Sequence, residues 1–357
     1  MKKESRLLRM GVLGCGPIAQ IAHFDACRKA RNADLYAICD LAPDLLAKMQ
    51  AMHGPRRAFS SFEEMLADPQ VEAVIIAVAD QFHVPLCLKA IQAGKHVLVE
   101  KPLGVSIEEC EQLRSALGKT NLVLQVGNNR RFDPGIAFAR QFVREEMGEL
   151  LSLKAWYYDS IHRYTMTDNL QPIPILSAAA RKPEGNPKAD KRRYFILTHA
   201  SHLVDTARFF GGEIASIRAR LREKFGAYCW LIDVEFSNGA PGHLELIIPA
   251  RGDFEEGFRI DGEHGSANGK VFLPWFHKSS RVECFSTKDN QFHRPLGEDA
   301  HTYKRQIEGF AATILDRAPQ HGANIDDGVA ALRALVAIAR SVETGNTIRL
   351  ADVTGSV

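Results

Sequence analysis

No two of the seven cysteines, at positions 15, 27, 39, 87, 110, 229 and 284, form a C-x-x-C pair. Their odd number and scatter argue against a disulfide framework or a structural zinc site, and no metal is expected. Long hydrophobic runs are also missing: nothing approaches the roughly 20 apolar residues that span a bilayer. The basic start Met1–Arg6 is followed by too short an apolar stretch for a signal peptide. A cytoplasmic protein without membrane partners is therefore expected. Nor is there an excess of one charge. The 45 Lys and Arg stand against 43 Asp and Glu, a net charge of +2, so nothing pulls the chain toward nucleic acid. Repeats and low-complexity tracts are absent as well. What remains is ordinary globular composition, 45% hydrophobic and 25% charged, in 357 residues. That length exceeds one small core and implies two domains.

The most informative stretch is Gly14-Cys15-Gly16-Pro17-Ile18-Ala19, between a strand-like run ending at Leu13 and a helix-like segment from Ile18 to Arg28. This is a G-x-G-x-x-A turn in its required strand–turn–helix context. Gly14 permits the tight turn, Gly16 lets a pyrophosphate approach the backbone, and Ala19 lets the helix pack closely. Pro17 and Ile18 open the helix, whose free N–H groups suit phosphates. Leu35–Cys39 reads as the second strand, and Asp40 ends it, 21 residues after Ala19. A carboxylate there attracts the ribose 2′-OH and repels a 2′-phosphate, so the expected cofactor is NAD and not NADP. The plainer reading of Asp40 is a cap on the next helix.

Strand-like and helix-like segments alternate through the first third. Val71–Val78, His96–Val99 and Leu122–Val126 read as buried strands. His83–Ala93 and Ser106–Leu117 read as helices, with Ser106 and Glu109 as a capping box. This grammar predicts a doubly wound parallel sheet in residues 1–127. Ligands of such a sheet sit at the carboxyl ends of its strands. His83 and Glu100, each following a strand, are accordingly placed among the cofactor contacts. From residue 128 to 357 the grammar changes to an α+β domain. A helix near Tyr194–Phe210 precedes six strand-like runs with short turns, which predict a largely antiparallel sheet. Two helices finish the chain. Between them and the first domain, segment 159–193 is polar, proline-bearing and locally basic, either a solvated arm or a lid for an acidic sugar.

Two clusters are candidates for chemistry. Glu100-Lys101-Pro102 follows directly on the strand His96–Val99. A lysine there can hold a substrate oxygen and share its proton, and Pro102 restricts the backbone of Lys101. The plainer reading is a solvated lysine. The second cluster is Thr198, His199, His202 and Asp205, which a helix would bring to adjacent positions. His202 titrates near working pH and suits a general base. Its plainer reading is a hydrogen-bonded core histidine.

These residues carry a family resemblance over nearly the whole length. The runs Gly11–Ala19, Ala93–Leu103 with its Glu-Lys-Pro motif, and Val126–Phe132 resemble the glucose–fructose oxidoreductase and inositol dehydrogenase family, Gfo/Idh/MocA. The resemblance implies an N-terminal Rossmann domain and a C-terminal domain built on a large, open, predominantly antiparallel sheet. It implies hydride transfer between a sugar, polyol or glycoside hydroxyl carbon and nicotinamide, with substrate entering between the domains. By the same resemblance Lys101 matches the family's catalytic lysine and also touches the cofactor, and His202 matches its proton-transfer histidine. A family aspartate four residues before that histidine is here Thr198, which cannot be a charged partner and leaves His199 or a residue from elsewhere to compensate. Arg130, Tyr164, Thr198, His199 and Asp205 are the candidate substrate contacts. A homodimer or homotetramer is implied through the sheet's exposed face. Two other functions stay open: glycoside cleavage by transient sugar oxidation, and non-catalytic nucleotide sensing.

Overall fold

The computed structural model describes residues 6–162, 169–180 and 189–357. It divides into two compact units. The first comprises residues 1–129, 171–187 and 303–329, and the second 130–170, 188–302 and 330–357.

The first unit is built on six strands: β1 (Leu8–Leu13), β2 (Ala33–Cys39), β3 (Arg57–Phe59), β4 (Ala73–Ile76), β5 (His96–Val99) and β6 (Leu124–Val126). Their order is β3-β2-β1-β4-β5-β6, and every pairing is parallel. Strands β4 and β5 are almost wholly buried, as expected for a sheet covered on both faces. The helices between them are α1 (Phe24–Lys29), α2 (Pro43–His53), α3 (Phe62–Ala67), α4 (His83–Gln92) and α5 (Ile107–Leu117). Ser61 and Ser106 cap α3 and α5 by accepting from the N–H groups of Glu64 and Glu109. The chain order reverses between β1 and β4, so the crevice of this sheet opens at their carboxyl ends.

The second unit carries nine strands. They are β7 (Leu150–Ser160), β8 (Ile214–Lys224), β9 (Ala227–Phe236), β10 (Pro241–Ala250), β11 (Glu255–Gly262), β12 (Gly265–Val271), β13 (Arg281–Ser286), β14 (Gln291–His293) and β15 (Ile348–Arg349). The order is β14-β13-β12-β11-β7-β10-β9-β8-β15. Only β7 and β10 pair in parallel. Helix α6 (Pro134–Glu145) packs on β12 and β13. Its cap, Asp133, also accepts from Ser280 N–H at 3.1 Å, tying helix to sheet. A helical stretch covers β7 and β10. It was expected as one α-helix, but it is built as α7 (Lys191–Phe195), a π turn at Ile196–Ala200, and α8 (Ser201–Gly211). The core beneath holds Trp230, Tyr157, Phe236 and Phe258. Two helices finish the chain, α9 (Thr302–Leu315) and α10 (Ile325–Thr344).

Candidate active site

The glycine turn occupies the carboxyl end of β1. Gly14 has φ +92°, and a Cβ there would lie 2.7 Å from the carbonyl oxygen of Ala77, just past β4. Both constraints demand glycine. Gly16 meets the opposite situation: a Cβ would have nothing within 4 Å. That is an open cradle, as a close-approaching pyrophosphate requires. The segment after it, Ala19–His23, is a π turn that passes into α1.

Asp40 lies beside this cradle. Its Oδ2 accepts from the Cys15 N–H at 2.7 Å, and its Oδ1 accepts from the Ala42 N–H at 2.8 Å. Asp40 thus steadies the approach to α2 and also holds the glycine turn, although the N-cap of α2 itself is Ala42, without a side-chain bond. A carboxylate has about four lone-pair sites, so capacity for ribose hydroxyls remains. The open cradle at Gly16 and the spare acceptor capacity of Asp40 fit a dinucleotide, whose phosphates Gly14, Gly16, Pro17 and Ile18 would hold and whose ribose Asp40 would hold.

The Glu-Lys-Pro loop follows β5 on the same sheet edge. Glu100 is buried, and its Oε1 lies 2.9 Å from Nε2 of His23 in the π turn. Its Oε2 accepts from the Lys101 N–H at 3.2 Å. Burial raises the carboxyl pKa, but the His23 hydrogen bond and the charges of His23, Lys101 and His83 outweigh it and leave it below the usual carboxylate value. The Lys101–Pro102 peptide is cis. On its far side the Pro102 carbonyl lies 2.7 Å from Nδ1 of His83, whose Nε2 lies 3.1 Å from the Val78 carbonyl. Burial draws the His83 pKa below the ordinary imidazole value, against those carbonyls. A neutral ring has one N–H, and the shorter contact to Pro102 takes it. His83, expected at the cofactor, thus holds the loop that carries Lys101.

In the second unit the His202 helix is organised around Tyr157. The His202 ring stacks on it, centroids 6.3 Å apart and planes within 5°, and His199 meets it edge-on at 5.6 Å. Nδ1 of His199 lies 2.7 Å from the Thr198 hydroxyl, which donates to the Tyr194 carbonyl at 2.6 Å. Nε2 of His199 lies 3.1 Å from Oδ2 of Asp159 at the end of β7. The Thr198 hydroxyl and the Asp159 carboxylate thus hold the His199 ring from its two nitrogens. Sequence reading did not find Asp159: it is 40 residues away, and only the sheet brings it in.

Asp205 and Arg130, both expected at the substrate, are held in buried ion pairs. Arg131 binds Asp205 through Nε and Nη2 at 2.7–3.2 Å, with its guanidinium over the Phe209 ring. Arg130 binds Glu256 through two bonds of 3.0 and 2.6 Å. Tyr164 lies outside the described residues. Among the described residues no group of three or more His, Cys, Asp or Glu could hold a metal ion. No helix among them is long and apolar enough to cross a membrane.

Comparison with known proteins agrees with this layout. Residues 8–128 match the model of the oxidoreductase family with a NAD-binding Rossmann fold, and residues 194–350 match the family's C-terminal alpha/beta domain. A myo-inositol 2-dehydrogenase of Thermotoga maritima is 34% identical over 366 residues, covering 98% of this chain and all of the relative. A levoglucosan dehydrogenase of Pseudarthrobacter phenanthrenivorans is 28% identical, over 80% of this chain and 69% of its own. Among solved structures, an oxidoreductase of Agrobacterium radiobacter in complex with NAD+, L-tartaric acid and magnesium superposes with a TM-score of 0.79. It is 18% identical and covers 96% of this chain and 98% of its own. The chain is a member of the Gfo/Idh/MocA family of NAD(P)-dependent oxidoreductases.

Proposed function

We propose that this protein is an NAD-dependent dehydrogenase acting on a hydroxyl carbon of a sugar or polyol. The observation that carries the reading is the Glu-Lys-Pro loop. Lys101 stands on the same carboxyl edge of the parallel sheet as the open glycine cradle, and its flanking residues are gripped by buried His23 and His83. The names of the inositol and levoglucosan dehydrogenase relatives support the substrate class. Asp40 supports NAD over NADP.

Bound NAD supplies the hydride acceptor. The chain supplies alignment and proton handling. A ring nitrogen of His202 takes the hydroxyl proton, and Lys101 Nζ donates a hydrogen bond that stabilises the developing alkoxide. Asp159 and His199 fill the place of the charged partner that Thr198 cannot be. We further propose a homodimer or homotetramer through the face of the nine-stranded sheet that carries the half-buried Trp156, Tyr158, Leu231 and Ile247.

The test is incubation of purified protein with NAD and a panel of inositols, aldoses, sugar acids, anhydrosugars and glycosides. Substrate-dependent NADH accumulation is the expected result. Sugar release from glycosides without NADH would replace the reading by redox-neutral cleavage, and binding without any conversion would replace it by nucleotide sensing.

A further inference from the structure

Segment 171–180 belongs to the first unit, although it lies far along the chain. Two ties hold it there. The first is the side-chain amide of Gln20, in the π turn that follows the glycine motif. Its Oε1 accepts from the Ile175 N–H at 2.9 Å, and its Nε2 donates to the Ile175 carbonyl at 2.9 Å. The same Nε2 donates to the carbonyl of Cys15 at 2.8 Å, inside the motif itself. One side chain thus bonds the segment to the turn. The second tie is Ser177, whose hydroxyl donates to Oδ1 of Asp44 at 2.6 Å. Asp44 lies in the first turn of α2, four residues beyond Asp40.

The two ties mark out the adenosine half of the dinucleotide site. Gln20 stands one turn beyond Gly16, whose carbonyl accepts its N–H at 3.1 Å. Asp44 stands one turn beyond the ribose carboxylate. The segment does not fill the cradle, which stays open above Gly16. Apolar packing adds little to the two ties: Ile173 is 86% exposed and Leu176 74%, and Pro174 and Ile175 are only half-buried. A segment held by a few polar contacts and little buried apolar surface docks reversibly, because each hydrogen bond is traded against water.

We propose that residues 171–180 form a strap along the outer side of the nucleotide site, and that the cofactor is exchanged only when the Gln20 and Ser177 ties release. The strap slows entry and exit alike, since it closes the route without adding contacts that favour the bound state. This inference rests on the dinucleotide site and is independent of the substrate reading.

The experiment is stopped-flow binding and displacement of NADH on the full-length protein, with a parallel series in NADPH. Wild type is compared with Gln20→Ala, Ser177→Ala and Ser177→Thr. Each alanine variant should raise both the association and the dissociation rate constants by about tenfold, with Kd moving much less than either rate. Ser177→Thr keeps the hydroxyl and should behave as wild type. Ser177→Ala leaves the glycine turn untouched, so it keeps the test valid if Gln20→Ala fails to fold. Unchanged rates in Ser177→Ala would overturn the proposal. So would a faster dissociation with unaltered association, which marks a direct cofactor contact and not a strap.

Discussion

Nε2 of His23 lies 2.9 Å from Oε1 of Glu100, with the histidine side chain wholly sealed from solvent. One residue comes from the turn that follows the glycine motif, the other from the loop that presents Lys101. This contact joins the two halves of the cofactor edge, and a change at either residue should be felt at the other.

Removing the donor with His23→Ala leaves a buried carboxylate without its main partner, and should destabilise the protein by about 3 kcal/mol. His23→Gln retains a donor and should recover part of that loss. The carboxyl of Glu100 is depressed when folded, so its contribution is present above the ordinary value of 4.5 and fades as pH falls through the folded pKa. Glu100→Gln should therefore flatten the acid side of the stability curve. Urea midpoints measured from pH 7 down to pH 3 check this; parallel curves for wild type and Glu100→Gln would refute it.

Lys101→Ala should lower kcat by about 10²-fold or more, with NADH affinity within a few-fold of wild type. His202→Asn should act on kcat in the same way. Steady-state kinetics beside a fluorescence titration of NADH separate the two quantities. A Lys101→Ala enzyme with near-normal turnover would remove the lysine from the mechanism.

Asp40→Ser removes the carboxylate we assign to the ribose, with its backbone contacts to Cys15 in the glycine turn and to Ala42 before α2. The ratio of kcat/KM for NAD to that for NADP should fall at least tenfold, with most of the loss on NAD. If wild type already uses NADP as well as NAD, the assigned role of Asp40 is wrong.

Asp159→Asn keeps the shape beside His199 and removes the charge. It should reduce kcat, and rescue by Asp159→Glu should be partial. Asp205→Ala is a contrasting case. It strands the buried Arg131 guanidinium and should cost about 3–5 kcal/mol of stability. Thermal melts and kinetics on both variants discriminate: Asp159→Asn should cost mainly turnover and Asp205→Ala mainly stability.

The parallel sheet could be read in advance because a strand buried on both faces is a continuous apolar run, and His96–Val99 ends at a motif that marks its carboxyl end. Most antiparallel strands were legible through their alternation. The three-residue strands Arg57–Phe59 and Gln291–His293 were not, being too short to show a period. The π turns at Ala19–His23 and Ile196–Ala200 were also hidden, since an α-helical spacing was assumed through both. Lys101 and His202 stand out by local motif. Their supporting residues do not, because His23 meets Glu100 across 77 positions and Asp159 meets His199 across 40. Such pairs are made by sheet register and helix packing, which one sequence does not display.

Cys15 occupies the variable position of the glycine turn and is fully buried there. Burial and the Asp40 charge push its thiol far above the range in which a thiolate forms. Peroxide and alkylating reagents act on thiolates, so the nucleotide site should survive oxidative stress that disables enzymes with an exposed sulfur in this place. Cys229, half-buried where the other six are buried, lies in the other unit, and its thiol too is raised by burial and by the charge of Glu245.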